Sequence, residues 1–136
     1  NRSGRLLRAG IEYASTHVQD LGRFHFLDGR GIIEENIVGT VCGMCLQQAW
    51  TKPIIGIALG DDGTIKISGR AGKALVRAGL DLGRLMKEAT KEVGGIGGGH
   101  AIAAGASIPK GMLNAFLLAS GSHLEAWKPE GLRHSP

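Results

Sequence analysis

An α/β fold, with a mixed β-sheet flanked by helices in a single compact domain, is the architecture this sequence predicts, and three observations predict it. Segments of helical period alternate with short segments rich in Ile, Val and Ala, the order of a sheet covered by helices. The 136 residues suffice for one hydrophobic core and fall short of two. A composition of 43% hydrophobic residues, 23 glycines and 4% aromatics suits an aliphatic core and argues against a disordered or collagen-like chain.

RLLRAGIEYASTHV, residues 5–18, sets Leu6, Leu7, Ile11, Ala14 and Val18 at spacings near three and four, so it predicts an amphipathic helix. RFHFLDG, 23–29, alternates polar and apolar side chains and ends in Asp28-Gly29, a strand entering a turn. A second helix is expected from Glu34 through Trp50, because two carboxylates suit a positive helix N-terminus and Pro53 closes the run. Its middle is nearly all apolar or small, which predicts burial. IIGIALG and TIKISG flank Asp61-Asp62-Gly63 as a β-hairpin. In DLGRLMKEATKEVGG, 81–95, Leu82, Leu85, Met86, Ala89 and Val93 share one face, with Asp81 as the N-cap and Gly94 as the stop. The glycine-rich run that follows reads as a loop, AIAAGASIP as a strand ending at Pro109, and GMLNAFLLASG, 111–121, as the last helix. From Lys128 onward two prolines and mixed charge predict a frayed tail. The expected order is α β α β β α β α.

A formal charge of +4, from 16 Lys and Arg against 12 Asp and Glu, suits an anionic ligand without forming a basic tail. Two cysteines three residues apart are too few and too close for the disulfide framework of a secreted domain, so a reducing, cytoplasmic setting is expected. No apolar run approaches the roughly 18 residues of a membrane span, and NRSGRLLRAG lacks the apolar centre of a signal peptide. No membrane partner is expected. The start at Asn1, without an initiator methionine, reads as a piece of something longer.

GGIGGGHAIAAGA, residues 94–106, carries the strongest chemical signal. It is not a dinucleotide fingerprint, since His100 stands where the last glycine is required and the run follows a helix instead of a strand. Nor is it a Walker loop, since no Lys-Ser or Lys-Thr pair follows. Consecutive glycines such as Gly97, Gly98 and Gly99 do let backbone N–H groups converge on an anion, and His100 adds a side-chain donor. Ala103, Ala104 and Gly105 leave space beside it. Ser68 and Arg70 stand just after a strand, and the Arg70 guanidinium offers a fork of donors matched to phosphate.

Other motifs read as structural. Cys42 of CGMC lies two turns into the expected helix, away from the N-terminal dipole that would activate it, so the pair reads as buried and inert. Two cysteines without a second ligand pair make half a zinc site. His17, His25, His123 and His134 are scattered, and His25 with Asp28 forms a lone strand-end pair. Phe24 and Phe26, two apart, share a sheet face and read as core in preference to base-stacking residues. No catalytic or metal-ligating residue is assigned in this chain.

GGGHAIAAGA, together with ISGRAG and IIEENIVGTVCGM upstream, resembles the DHH-associated domain of DHH-family phosphoesterases, and within it the archaeal RecJ-like single-strand-specific exonucleases. The likeness covers about residues 23–109. It implies an N-terminal helix or connector at 1–22, a substrate-binding domain at 23–127 and a flexible tail at 128–136. It also implies that Ser68, Arg70, Gly97, Gly98, Gly99 and His100 hold the phosphates of single-stranded DNA or RNA. One departure is clear: relatives place Trp-His-x-Gly where this chain has Ile33-Glu34-Glu35-Asn36. The family's Asp-His-His motif, which binds Mn or Mg in a separate N-terminal domain, does not occur here, so the chain alone is expected to be inactive. Two further readings follow from the resemblance: the binding domain of a short-oligonucleotide or nucleotide phosphoesterase, and a non-catalytic scaffold that partners replication proteins.

Overall fold

A computed structural model describes residues 1–47 and 50–127. Its centre is a mixed sheet of six strands: β1 (Gln19–Asp20), β2 (His25–Asp28), β3 (Ile54–Leu59), β4 (Thr64–Arg70), β5 (Ile96–Gly99) and β6 (Ala103–Pro109). Their spatial order is β1-β2-β3-β4-β6-β5, with β2 and β3 parallel and every other pair antiparallel. The helices are α1 (Arg2–His17), α2 (Val38–Cys45), α3 (Lys73–Arg77), α4 (Leu82–Val93) and α5 (Leu113–Ala126), the last preceded by a 3-10 turn at Lys110–Met112. The α/β class read from the sequence is the fold observed. Among the described residues no helix is long and apolar enough to cross a membrane.

Strand pleating sends alternate side chains to opposite faces, and each face builds its own core. On one face Phe24, Phe26, Ile55, Ile57, Ile65, Ile67, Ala104, Ala106 and Ile108 pack with Leu82, Leu85 and Met86 of α4 and Phe116 of α5. The two phenylalanines are therefore core residues. On the other face Leu27, Ile54 and Ala58 pack with Ala14 of α1 and Val38, Val41 and Cys42 of α2. Helix α1, expected as a connector, is thus part of the second core, and β1 joins the sheet through Gln19 and Asp20.

Five sequence expectations are corrected. The helix expected over Glu34–Trp50 is shorter, Val38–Cys45: Glu34 closes a turn whose carbonyl accepts from the Ile37 and Val38 amides, and Leu46 is extended at ψ 131°. Ser68 and Arg70, expected just past a strand, lie within β4, because their ladder with β6 continues to Ala103. Helix α3, five residues with no side-chain cap, was not expected, because its period is too short to register. The last helix runs on to Ala126, five residues past GMLNAFLLASG. The glycine run is not a loop; Ile96–Gly99 is the edge strand of the sheet. Helix α4 does carry the signals read for it, with the Asp81 carboxylate accepting from the Arg84 amide and Gly94 closing it at φ +80°. His134 and the tail from Lys128 lie outside the described residues.

Candidate functional site: an open shelf on the sheet

The face that α1 and α2 cover over β2, β3 and β4 is left open over β6 and β5. Ser68 opposes Gly105, which opposes Gly98. One row along, Arg70 opposes Ala103, and Ala103 exchanges backbone hydrogen bonds with His100 at 2.9 and 3.3 Å across a two-residue turn. Residues opposed in register share a face, so Ser68, Arg70, Gly98 and His100 come together on one side of the sheet. The floor between them carries only Ala103 and Gly105, and Ser107 and Ile96 at its far end are exposed. The result is a shelf with an arginine at one side and a histidine at its end. Concavities of about 590 Å³, lined by Asp81, Arg84, Glu88, His123 and Trp127 among others, and of about 660 Å³, lined by Ile32, Glu35, Leu59 and Asp61 among others, lie elsewhere on the surface.

The same pleat divides the glycines. Gly97 lies against α4: a Cβ there would stand 2.7 Å from the Met86 carbonyl oxygen and 3.0 Å from Thr90 Cγ2. Gly99, at φ +136°, would put one 2.7 Å from the Ala104 Cα, and its carbonyl oxygen is in contact range of Gly83 on α4. Gly97 thus lets the strand lie close on α4, and Gly99 lets the hairpin turn tightly onto β6. Gly98 alone of the three opens onto the shelf.

Arg70 is half-buried because it lies along α2. A Cβ on Gly39 would collide with Arg70 Nη2, and Gly43 one turn later would stand 4.0 Å from Arg70 Cγ, Cδ and Nε. Nη1 donates to the Gly69 carbonyl oxygen at 2.8 Å. Ser68 is buried beneath the same helix, its Oγ 3.3 Å from the place of a Gly39 Cβ. Sequence reasoning missed Gly39 and Gly43; the signal was there in two glycines four apart on one helix face, where close backbone approach is the ordinary reason for glycine. The segment that departs from the family pattern is remote from Arg70. Ile33 is buried, Glu34 pairs with Arg2 at 2.7 Å and Glu35 sits beside Gly60, past the end of β3 opposite to the one that Arg70 flanks.

Other titratable groups are engaged elsewhere. His25 stacks on Trp50 with ring centroids 3.9 Å apart, and burial holds its pKa below the ordinary value. Asp28 is bound by Arg30 at 2.8 and 3.0 Å, which holds its carboxyl below the usual range. His17 stacks on Tyr13. Among the described residues no three His, Cys, Asp or Glu side chains gather as metal ligands would.

Burial pushes the Cys42 thiol up to about 12, with Cys45 a smaller cause in the same direction. A thiol that ionises only on unfolding makes the unfolded state release a proton that the folded state keeps. The sign is then fixed: stability is constant well below pH 9.0, the ordinary value, and falls as pH rises above it, by at most about 1.4 kcal/mol per pH unit. Urea melts between pH 8 and 10.5 should show this fall for the wild type and a flatter profile for Cys42→Ala; identical profiles would mean that the thiol is not buried as described.

Comparisons with known proteins bear on the family and the fold. Residues 21–124 match the DHHA1 domain family. A Methanocaldococcus jannaschii protein, MJ0831, is 32% identical over 106 residues, covering 78% of this chain and 22% of that protein. Among solved structures, RecJ from Thermus thermophilus in complex with Mg2+ superposes with a TM-score of 0.70 at 18% identity, over 94% of this chain and 19% of that one. The pGpG-specific phosphodiesterase PggH from Vibrio cholerae gives 0.58 at 18% identity, over 92% of this chain and 42% of that one. The chain thus spans about a fifth of the M. jannaschii relative. With three quarters of its residues inside the family match, the chain belongs to the DHHA1 domain family.

Proposed function

We propose that this domain binds the phosphate backbone of single-stranded nucleic acid for a RecJ-like DHH-family phosphoesterase, whose cutting site lies in a separate domain that uses Mn or Mg. The observation that carries this reading is the convergence of Arg70, Gly98 and His100 on one face of the sheet, open over β6 and β5 and flanked by α2 at Arg70. A guanidinium and an imidazole supply donors of the kind that phosphate oxygens accept, and a floor without side chains lets a backbone lie close. Ser68 supports the floor from beneath α2, while Gly97 seats β5 on α4 and Gly99 turns the hairpin onto β6. The fold shared with RecJ supports the reading. The fold shared with PggH, named for a dinucleotide substrate, favours a second one in which only a very short oligonucleotide is held.

The test is binding of a fluorescent single-stranded oligonucleotide to the intact protein as salt is raised. Arg70→Ala should weaken binding by roughly 1–3 kcal/mol and make the salt dependence shallower, since one cation fewer meets phosphate. His100→Ala should weaken it less, since an imidazole offers a phosphate a single donor where the guanidinium offers a fork. A series of strands two to twelve nucleotides long separates the two readings: affinity that stops rising at two or three favours the short-substrate one. Unchanged affinity in both variants would overturn the proposal.

A further inference from the structure

We infer that Lys87 is a second phosphate-binding cation on the shelf, so that the site spans two phosphates of one backbone and takes a chain of nucleotides in preference to a mononucleotide. This rests on the reading of the shelf as a phosphate site. Lys87 belongs to α4, which packs on the opposite face of the sheet. Because β5 is the edge strand, its side chain can pass around that edge. It does so: a Cβ built on Gly98, directed onto the shelf, would have Lys87 Cε at 3.6 Å and Cγ at 3.9 Å as its near neighbours. The side chain that a larger residue at 98 would displace is thus a lysine whose stem lies along bare backbone, carrying its ammonium to the rim.

Lys87 is exposed, and the ion pairs formed among the described residues of α4 join Arg84 to Glu88 and do not include it. Gly98 and Ser68 are two strands apart in register through Gly105, a separation of roughly 10 Å at the usual interstrand spacing. Arg70 lies one row beyond Ser68. Cations that reach the shelf from its two sides, over a floor of that width, are placed for different phosphate groups. They fit neighbouring phosphates of a strand laid across β4, β6 and β5, with the glycine floor between them.

The test compares Lys87→Gln, Lys87→Arg and Arg70→Ala in the intact protein against two probes, a single-stranded hexanucleotide and a nucleoside monophosphate. Lys87→Gln should weaken hexanucleotide binding roughly three- to tenfold and lower the salt slope by about 0.7, the value for one cation on a single strand. It should leave monophosphate binding unchanged, while Arg70→Ala weakens both and Lys87→Arg restores the hexanucleotide. If Arg70→Ala weakens binding and Lys87→Gln changes neither affinity nor slope, the two-phosphate inference is overturned. If Arg70→Ala also has no effect, the phosphate reading itself falls and this inference with it. Loss of monophosphate binding in Lys87→Gln would likewise overturn it, by placing both cations on one group.

Discussion

Gly97→Ala should destabilise the domain by roughly 1–3 kcal/mol, the usual cost of forcing an extra carbon into a packed interior. The added methyl would stand 2.7 Å from the Met86 carbonyl oxygen, 3.0 Å from Thr90 Cγ2 and 3.1 Å from Ala106 Cβ. Two of these three belong to α4 and the third to β6, so no single flexible side chain can give way. The helix must lift off the strand, and α4 carries Leu82, Leu85 and Met86 into the main core. Opposing this is the smaller entropy of an unfolded alanine, worth only about 0.4–1 kcal/mol. The clash wins. At Gly98 the balance reverses: only the Lys87 side chain is near, at ordinary van der Waals distance, and φ there is not in the left-handed region. Gly98→Ala should therefore melt at or slightly above the wild-type temperature, while Gly97→Ala melts several degrees below it. Equal melting temperatures for the two variants would show that β5 does not lie on α4 with this pleat.

That contrast also marks where the sequence could be read and where it could not. Helix α4 was legible because its cap, its apolar face and its terminal glycine agree, each acting within a few residues. The β3–β4 hairpin was legible for the same reason, with Asp61-Asp62-Gly63 between two Ile-rich runs. The strand β5 was not. Its residues are mostly glycine, with almost no strand propensity and no alternation of side chains, and it is held by contacts that such a pattern does not announce: Ser107 and Ala106 across its own hairpin and Met86 and Thr90 beneath. Helix α2 was overextended because the small and apolar run after Asn36 has no proline before Pro53, whereas the helix ends at Cys45 with Leu46 already extended. The candidate residues Arg70 and His100 were named from the sequence, but their placement in one row depends on β6 lying between β4 and β5. Only the register shows that Gly98 and His100 share a face that Gly97 and Gly99 do not.

Gly39→Ala should lose most of the affinity that Arg70→Ala loses, although residue 39 offers nothing to a ligand. The methyl would overlap Arg70 Nη2 and stand 3.1 Å from Cζ and 3.3 Å from Ser68 Oγ. The overlapped atom is the far end of a flexible side chain, so the guanidinium can swing away and leave the fold intact. Alanine is also the better helix former by about 0.8–1 kcal/mol. Stability should consequently hold or rise while binding falls, a combination that a merely damaged core cannot produce. The Arg70 donors would then leave the pose in which Nη1 is held by the Gly69 carbonyl at 2.8 Å, and the fork pre-organised at the side of the shelf would be lost. The double variant Gly39→Ala, Arg70→Ala should bind no more weakly than Arg70→Ala alone, because both changes remove the same contact. Additive losses would mean that α2 meets the ligand directly, and wild-type binding by Gly39→Ala would mean that Arg70 acts from some other pose than the one α2 gives it.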